Sequence, residues 1–379
     1  MPYWRLSAFY LCYFGALGAL VPYWGLYLQD QGLTPLAIGQ LMAILTGTKV
    51  VAPNVWGWLA DRGGGQVRLV RLACLLAAIT FGAVFFARGF WAIAAVMFVA
   101  SFFWNAALPQ MEAITFNHLG PQASRYAQVR LWGSIGFILT VAILGWLLQH
   151  QGTRVVPWVV TVLFCGIWAA SLLVPNAPQG HQGQGEDSLR RLLRRPEILA
   201  FLASCLLMQV SHGAYYAFYS IDLKSAGYDP MAVGGLWAWG VFVEVLVFLR
   251  MHRLLERFGA RRVLMTSLAL AVVRWLLIGH LVDLPAVQVL AQALHAATFG
   301  TFHASAIHLA HHYFPRRAQG RGQALYNSLS FGAGGAVGSL LAGWLWTDFD
   351  PATTFGVAAV AAGLGWFVAW VWVDRARSH

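Results

Sequence analysis

Charged residues make up only 10% of this 379-residue chain, whereas a soluble protein contains about 25%. Hydrophobic residues make up 59%, and the mean hydropathy is +0.62. The few charges cluster between apolar runs, each about the 20 residues that a helix needs to cross a bilayer. The composition therefore argues against a soluble domain and predicts an all-α membrane protein.

Cysteine is also rare, and its four residues lack the paired spacing of a disulfide framework or a zinc site. We interpret them as small buried hydrophobic residues, and we expect neither a metal nor a cofactor. The apolar run that starts near Leu6 lacks the small-residue cleavage site of a signal peptide, so it is predicted to be the first membrane helix. The cysteines are Cys12, Cys74, Cys165 and Cys205.

The net charge of +11 is distributed as a topology signal rather than as a nucleic-acid-binding patch. Most of the 25 Lys and Arg lie at the termini and in every second loop, whereas the opposite loops hold only Arg88, Arg154 and Lys224. Because basic loops stay in the cytoplasm, both termini are predicted to be cytoplasmic, in a bacterial inner membrane. The twelve predicted spans are 6–28, 36–59, 69–87, 90–116, 128–149, 155–174, 197–221, 231–252, 262–281, 285–309, 322–346 and 352–373.

Six ionised or ionisable side chains lie inside these apolar spans. A charge at bilayer depth costs about 2.5 kcal/mol or more, so it persists where it is paired, hydrated or used. Three of the six fall in each half of the chain, which indicates a polar pathway through a two-part membrane protein and hence a transporter. The six are Lys49, Glu112, Arg130, Glu244, Arg274 and His295.

The longest polar stretch, Pro175 to Pro196, separates the first six predicted spans from the last six. The halves repeat at an offset of 195 residues, which pairs Gly32 with Gly227 and Pro35 with Pro230. Parallel internal repeats are typical of transporters in which two bundles rock around a midplane site. The predicted parts are an N-terminal six-helix bundle at 1–175, a cytoplasmic linker with an amphipathic surface helix at 176–196, and a C-terminal six-helix bundle at 197–379.

The loop after the second span contains a motif. Residues 57–71, GWLADRGGGQVRLVR, resemble the cytoplasmic loop motif of the major facilitator superfamily, and residues 256–259, ERFG, resemble its degenerate second copy. The resemblance implies a latch that breaks when the bundles rock, in which an aspartate caps a helix or pairs with arginines. An ordinary polar loop is the alternative. The predicted gating residues are Gly57, Asp61, Arg62, Gly64, Glu256 and Arg257.

A second motif narrows the resemblance. Residues 130–137, RLWGSIGF, resemble the signature of the phenylpropionic acid transporter family, which is related to lactose permease and the nucleoside–proton symporters. Residues 214–240 and 273–275 resemble the same family. The resemblance implies the major facilitator fold, with twelve transmembrane helices in two pseudo-symmetric six-helix bundles.

Three charged residues of the first half are predicted to contact the substrate. Glu112 and Arg130 lie near the cytoplasmic ends of the fourth and fifth spans, where an opposed pair would offset the cost of burial. Lactose permease has a similar Glu and Arg that bind sugar hydroxyls, so the resemblance implies substrate contact; a helix-packing salt bridge is the alternative. Lys49 lies too deep to snorkel. We predict that Lys49 joins Arg130 in attracting a carboxylate, or else pairs permanently with Glu112.

Glu244, Arg274 and His295 lie near the centres of the eighth, ninth and tenth spans, a cluster that suits proton coupling. Burial favours the neutral form of a carboxylate and a nearby arginine favours its charged form, so a helix shift can bind and release a proton. Lactose permease has a Glu, an Arg and a His in the same helices, but Thr298 stands where it has a further proton-carrying Glu. We predict Glu244 as the proton carrier, Arg274 as its modulator and His295 as a polar partner. A purely structural Glu244–Arg274 bridge is the alternative.

Polar and aromatic side chains of the first, fourth and seventh spans complete the predicted substrate site. Aromatic walls with few polar groups suit a flat apolar ligand that carries one charge. Interface belts and packing are the alternative explanation for each aromatic residue. The further predicted contacts are Trp24, Asn105, His212, Tyr215 and Tyr216.

These features predict an importer of a small organic anion, driven by protons through alternating access, and the resemblance to the superfamily implies a monomer. The resemblance implies an aromatic carboxylate such as 3-phenylpropionate, and a sugar or nucleoside symporter is the alternative. Drug efflux is disfavoured because exporters carry a Gly-Pro-rich motif in the fifth span, and 128–149 contains no proline. An enzyme is not expected, since we find no nucleophile–base or metal constellation. The expected partners are the substrate, protons and the lipid bilayer, without nucleic acid.

Overall fold

The computed structural model describes residues 2–63, 65–176, 192–315 and 319–373. This part of the chain is helical and contains no strand, as its composition predicts. Its fifteen α-helices are α1 Tyr3–Asp30, α2 Pro35–Gly63, α3 Gln66–Gly82, α4 Gly89–Leu119, α5 Tyr126–Gln151, α6 Val156–Leu173, α7 Pro196–Ser225, α8 Pro230–Phe248, α9 Met251–Phe258, α10 Ala260–His280, α11 Pro285–His295, α12 Phe302–Tyr313, α13 Gln319–Asn327, α14 Gly335–Asp348 and α15 Pro351–Trp372.

Among the described residues, eleven helical segments are long and apolar enough to cross a membrane, against twelve predicted spans. The difference lies in the predicted tenth span, 285–309. Here α11 passes into a π-helical turn, Ala296–Thr301, and then into α12. Residues 285–313 are helical throughout, but neither α11 nor α12 is by itself long enough to cross a membrane. The all-α membrane fold is confirmed.

The predicted eighth span, 231–252, was too long. Helix α8 ends at Phe248, and the separate short helix α9 follows at Met251–Phe258. Its sequence, MHRLLERF, alternates apolar and charged residues at helical spacing, which suits an amphipathic surface helix rather than a continued span. The amphipathic helix predicted in the linker has the sequence SLRRLLRR, residues 188–195. Residues 188–191 lie outside the described part of the chain, and 192–195 mostly form a turn rather than a helix.

Contacts among Cα atoms group the chain into two compact units. Unit 1 is Met1–His181 with Tyr219–Ala238, and unit 2 is Gln182–Phe218 with Trp239–His379. Unit 1 therefore includes the hairpin made by the end of α7 and the start of α8. The predicted division at residues 175 and 197 stays a prediction.

An ion pair fastens this hairpin within unit 1. Lys224 Nζ lies 2.8 Å from Asp30 Oδ1, and Thr153 Oγ1 donates to Asp30 Oδ2 at 2.7 Å. The sequence places Lys224 in a loop opposite the basic ones but does not predict this pair. Because both charged side chains are partly exposed, the pair itself contributes about 1 kcal/mol or less.

The 195-residue repeat extends to the turns that precede the second helix of each half. Gly32 and Gly227 both have positive φ, 80° and 88°, a conformation that side chains with a Cβ rarely adopt. Two residues after each glycine, a side chain caps the next helix. Thr34 accepts a hydrogen bond from the backbone N–H of Ala37 at 3.3 Å, and Asp229 accepts one from Ala232 at 2.7 Å. Such N-caps satisfy donors that the helix itself leaves unpaired.

Glycines let equivalent helices approach closely within each unit. In unit 1, a Cβ at Gly136 of α5 would collide with the carbonyl group of Leu11 in α1. In unit 2, a Cβ at Gly338 of α14 would collide with the carbonyl group of Val210 in α7. The glycine-rich run 332–338 therefore packs helices, as its small residues predict.

In each unit an arginine holds the end of another helix. Arg71 of α3 donates to three carbonyl oxygens at the end of α6, at 2.9 to 3.3 Å. Arg261 of α10 donates to two carbonyl oxygens at the end of α15, at 2.6 and 2.9 Å. The last carbonyls of a helix lack partners within it, and a cation is favourable there. These arginines therefore stabilise the bundle.

We expect Arg71→Gln to lower the free energy of unfolding by about 2 kcal/mol, because the helix end loses its charged donor. Thermal melting of the protein in detergent measures the effect. Arg68→Gln is the matched control, since Arg68 is exposed on the same helix and donates to no group among the described residues. Equal melting temperatures for the two variants would contradict the capping role.

Candidate functional site

Lys49 is a half-buried cation in the membrane-spanning part of α2. Among the described residues it forms no hydrogen bond and no ion pair within 4.0 Å. Its surroundings are fixed, because Thr48 Oγ1 donates to Ser101 Oγ at 3.0 Å and so ties α2 to α4. The ammonium is thus held at bilayer depth without a carboxylate to offset its charge.

Asn105 lies beside this lysine and is buried. Its Nδ2 donates to Leu45 O at 2.9 Å and to Thr48 Oγ1 at 2.8 Å, so its amide joins α4 to α2. Its Oδ1 is buried without a hydrogen-bond partner in the described part of the chain. The amide has a structural role here, and its predicted contact with substrate stays a prediction.

Glu112 accepts a hydrogen bond from Tyr126 Oη at 3.0 Å. The expected opposed pair with Arg130 is not formed: within the described residues, neither side chain has an ion-pair partner inside 4.0 Å. The permanent Lys49–Glu112 pair is absent by the same criterion. A neutral hydroxyl therefore bonds Glu112 directly, and Arg130 acts on its charge only from beyond 4.0 Å.

Arg130 lies flat on an aromatic ring instead. Its guanidinium carbon is 3.6 Å from the centre of the Phe14 ring, an attractive cation–π geometry. The stack depends on Gly133, because a Cβ there would lie 2.6 Å from both Arg130 Nη1 and Phe14 Cδ2. In the described part of the chain, the N–H groups of this half-buried side chain have no hydrogen-bond acceptor. A planar fork of donors is thus held in place without a protein acceptor in the described residues.

The other residues of the RLWGSIGF motif hold this arrangement in place. Trp132 Nε1 donates to Tyr3 Oη at 2.9 Å, and that hydroxyl donates to Gln128 O at 3.4 Å. These contacts fix the start of α5 against α1, as Gly136 does one turn later. The motif thus has a structural explanation around Arg130. Neither Phe14, which stacks on Arg130, nor Tyr126, which donates to Glu112, was predicted from the sequence.

In unit 2, the structure brings Glu244 and His295 together. Glu244 Oε2 lies 3.3 Å from His295 Nε2, and the side chains are only 13% and 7% exposed. The second ring nitrogen, Nδ1, is buried and has no hydrogen-bond partner among the described residues. A carboxylate and an imidazole thus share a nearly closed site. Glu244 lies four residues before the end of α8, nearer the end of its span than the sequence predicts.

Arg274 is fully buried beside this pair. It donates to Ala291 O at 2.9 Å and to Thr298 Oγ1 at 3.0 Å, and it lies 4.2 Å from the centre of the Tyr215 ring. Thr298, noted in the sequence as a departure from the lactose permease pattern, therefore supplies a neutral acceptor for the arginine. Burial of the charge is offset by hydrogen bonds and an aromatic face.

Gln292 joins the cluster although the sequence analysis did not select it. Tyr215 Oη donates to Gln292 Oε1 at 2.9 Å, and Arg274 Nη2 lies 3.5 Å from the same oxygen. These contacts leave the amide Nε2 buried without a partner in the described residues. Its position three residues before His295, on one helix face, was the signal that could have found it.

His212 and Tyr216 lie on α7, the helix that carries Tyr215. His212 Nδ1 is 2.8 Å from Met208 O, so this nitrogen carries the hydrogen and Nε2 is an acceptor. Nε2 is buried without a partner in the described part of the chain. The Tyr216 ring lies 5.6 Å from the His212 ring. The structure thus groups three of the predicted contact residues, whose binding of substrate stays a prediction.

Trp24 is fully buried in unit 1. Its Nε1 donates to Met97 Sδ at 3.2 Å, and its ring packs against Tyr27 and Phe81. The side chain therefore has a packing role, the alternative that the sequence analysis kept for aromatic residues. A contact with substrate stays a prediction.

Comparison with known proteins agrees with this fold. The model of a family described as the MFS_1 like family matches residues 3–357. The chain belongs to the MFS_1 like family. It is 32% identical over 376 residues to the "Probable 3-phenylpropionic acid transporter" of Escherichia coli (strain K12), covering 94% of each chain. It is 26% identical over 377 residues to the "Maltose permease" of Geobacillus stearothermophilus, covering 98% of this chain and 94% of the permease.

A solved structure shares the fold. The nucleoside transporter NupG superposes with a TM-score of 0.83 at 17% identity, covering 97% of this chain and 98% of that one. Family membership and the shared fold identify a multi-pass membrane transporter of the major facilitator type.

The gating motif of this transporter is only partly described. Gly64 and the side chain of Asp61 lie outside the described residues. Arg62 is exposed and stacks on Trp58 at 4.0 Å. A Cβ at Gly57 would lie 3.7 Å from the Gln110 side chain, an ordinary packing distance. The predicted latch stays a prediction.

The second copy of the motif forms local contacts in α9. Glu256 Oε1 lies 3.0 Å from His252 Nε2, one helical turn away. Arg257 lies 5.3 Å from the ring centre of Phe258. All four side chains are exposed, so these contacts contribute little to stability.

One expectation about the cysteines was wrong. Cys74 and Cys205 are buried and Cys12 is partly buried, but Cys165 is exposed on α6. A thiol on the apolar outer face of a spanning helix meets lipid rather than water, so exposure there is compatible with its hydrophobic character.

Proposed function

We propose that this transporter imports a small organic anion together with protons by alternating access, and that the anion is an aromatic carboxylate such as 3-phenylpropionate. The observation that carries the proposal is that two cations of unit 1, Lys49 and Arg130, have no carboxylate oxygen within 4.0 Å in the described residues. A charge in a membrane span persists where it is used. A substrate carboxylate would supply the missing partner.

The geometry of Arg130 favours a carboxylate over other anions. Its guanidinium is held flat by Phe14, and its donors form a planar fork that matches the two oxygens of a carboxylate. A small organic acid would satisfy this fork.

The cluster of Glu244, His295 and Arg274 is proposed to carry the proton. Glu244 is neutral when protonated and negative when not, and His295 offers it an N–H donor at 3.3 Å. Arg274 donates to neutral acceptors, so it can turn toward the carboxylate when the proton leaves. Protons drive uptake because proton and substrate favour the same conformational change.

A sugar or nucleoside symporter is the second candidate. Glu112 is satisfied by the Tyr126 hydroxyl rather than neutralised by Arg130, so it can accept hydrogen bonds from substrate hydroxyls. Relatives named as a maltose permease and as a nucleoside transporter fit this alternative. It predicts transport of polyhydroxylated neutral substrates.

Both termini are proposed to be cytoplasmic in a bacterial inner membrane, following the basic loops, and the transporter is proposed to act as a monomer. The motif predicted as a loop at 57–64 lies in α2 as far as Gly63. This motif and its second copy at Glu256–Arg257 are proposed to latch and release as the transporter changes conformation.

Uptake into proteoliposomes tests the proposed function. With an inward proton gradient, we expect purified transporter to accumulate labelled 3-phenylpropionate above its external concentration, and a protonophore should abolish the accumulation. The matched amide, 3-phenylpropionamide, should not compete, because it lacks the charge that Lys49 and Arg130 attract. Equal competition by acid and amide, or accumulation unaffected by the protonophore, would contradict coupled import of an anion.

A further inference from the structure

A π-helical turn interrupts the helix that carries His295. Helix α11 ends at His295, the turn comprises Ala296–Thr301, and α12 continues from Phe302. π-Helical turns are rare and occur frequently at functional sites, because they move side chains out of the α-helical register. This turn follows directly on the residue that binds Glu244.

Glu244 lies across the backbone of Gly300 in this turn. A Cβ at Gly300 would lie 2.9 Å from Glu244 Cγ and 3.7 Å from its Cδ, with Phe248 Cε2 at 3.5 Å. Carbon atoms in normal contact are about 3.5–4.0 Å apart, so a methyl group at this position displaces the glutamate. The place that Glu244 occupies exists because residue 300 has no side chain.

Two threonines fasten the same turn to the helix of the arginine. Thr298 Oγ1 accepts a hydrogen bond from Arg274 Nη1 at 3.0 Å. Thr301 Oγ1 lies 2.7 Å from Ser267 Oγ, and Ser267 lies on α10 with Arg274. One turn of six residues therefore contacts both charged groups of the cluster and follows the histidine directly.

We propose that Gly300 is a positioning residue: the π-helical turn seats the Glu244 side chain so that its carboxylate reaches His295. The inference rests on the proposed function for the role of that carboxylate in proton transfer, but the position of the side chain is testable by itself. Gly300 bonds to neither proton nor substrate and acts through Glu244 alone.

Chemical labelling of Glu244 tests the position without any transport. Dicyclohexylcarbodiimide modifies carboxyl groups in apolar surroundings, and mass spectrometry of the purified protein measures the rate at Glu244. We expect Gly300→Ala to change this rate severalfold, because the carboxylate leaves His295. The control is Gly356→Ala, a helical glycine in unit 2 with no atom within 4 Å of the added Cβ, which should label as the wild type does.

Transport separates positioning from simple damage to the fold. In substrate exchange the transporter crosses back with substrate and proton still bound, so no proton is released. Net accumulation requires the proton to be released inside. Gly300→Ala should therefore lose proton-driven accumulation and retain exchange, while a damaged fold loses both. If Gly300→Ala loses both accumulation and exchange while Glu244 is labelled at the wild-type rate, the proposal is overturned.

A second variant keeps the test decisive if Gly300→Ala folds poorly. Glu244→Ala removes the Cγ that the new methyl group would meet, so Gly300→Ala should lower the melting temperature less in that background than in the wild type. An equal decrease in both backgrounds overturns the proposal, as does unchanged labelling. Wild-type accumulation that ignores the proton gradient contradicts the proposed function instead, and the labelling and melting results still decide the role of Gly300.

Discussion

Glu244→Gln is expected to abolish proton-driven accumulation and to leave substrate exchange largely intact. Glutamine keeps the size of the side chain and can hydrogen-bond His295, but it cannot bind and release a proton. Without that cycle the proton gradient no longer favours one direction, so the internal concentration of substrate should rise only to the external one, a ratio of about 1. Uptake and counterflow of labelled 3-phenylpropionate in the same proteoliposomes measure the two activities.

The matched control is Glu197→Gln. Glu197 also lies in unit 2, but it is partly exposed and pairs with Arg195 at 2.8 Å, away from the buried cluster. This variant should accumulate substrate as the wild type does. Accumulation by Glu244→Gln at the wild-type level would show that another group carries the proton, or that transport is not coupled to protons.

The charged members of this cluster are predictable from sequence because a charge inside an apolar run is costly wherever the helix places it. Glu244, Arg274 and His295 are conspicuous for that reason alone. Their neutral partners are not, since amides and hydroxyls occur in membrane helices without such a cost. Gln292 therefore became significant only when the structure placed it 3.5 Å from the Arg274 guanidinium. Thr298 was noted in the sequence only as a departure from a pattern, and its role as an acceptor, at 3.0 Å, needed the structure.

The contacts of Glu112 and Arg130 show a second limit of sequence reasoning. Spacing fixes the depth of a residue and the helix face on which it lies, but the rotamer depends on neighbours from other helices. Phe14 of α1 takes the guanidinium at 3.6 Å, and Tyr126 takes the carboxylate. Both neighbours are ordinary aromatic residues in a chain that is 14% aromatic, so nothing in the pattern singled them out.

The helical framework was largely predictable, since the lengths of apolar runs and the 195-residue repeat are properties of the sequence itself. The exceptions are local. Averaged hydropathy merges α8 with the start of α9, because Phe248 and Leu249 continue the apolar run to the break. The π-helical turn at Ala296–Thr301 has no distinctive composition, because it depends on how its side chains contact α8 and α10.

Arg130→Gln is expected to raise the KM for 3-phenylpropionate by about 100-fold, since a charged pair of hydrogen bonds to a carboxylate contributes about 3 kcal/mol and each 1.4 kcal/mol is tenfold. Arg130→Lys should recover part of the affinity, because it restores the charge without the planar fork. Initial rates over a range of substrate concentrations measure both variants. Exchange at saturating substrate should change much less, since the arginine contributes to binding.

Arg125→Gln is the control for this experiment, because Arg125 is exposed five residues earlier and donates to Gln122 at 3.1 Å. It should transport with the KM of the wild type. A wild-type KM in Arg130→Gln would remove the carboxylate clamp from the proposal, whereas a lower maximal rate at unchanged KM would make Arg130 part of the conformational change. If Arg130→Gln loses transport of the acid but keeps transport of a neutral sugar or nucleoside, the anion is favoured over the second candidate. Only the anion needs the positive charge above Phe14.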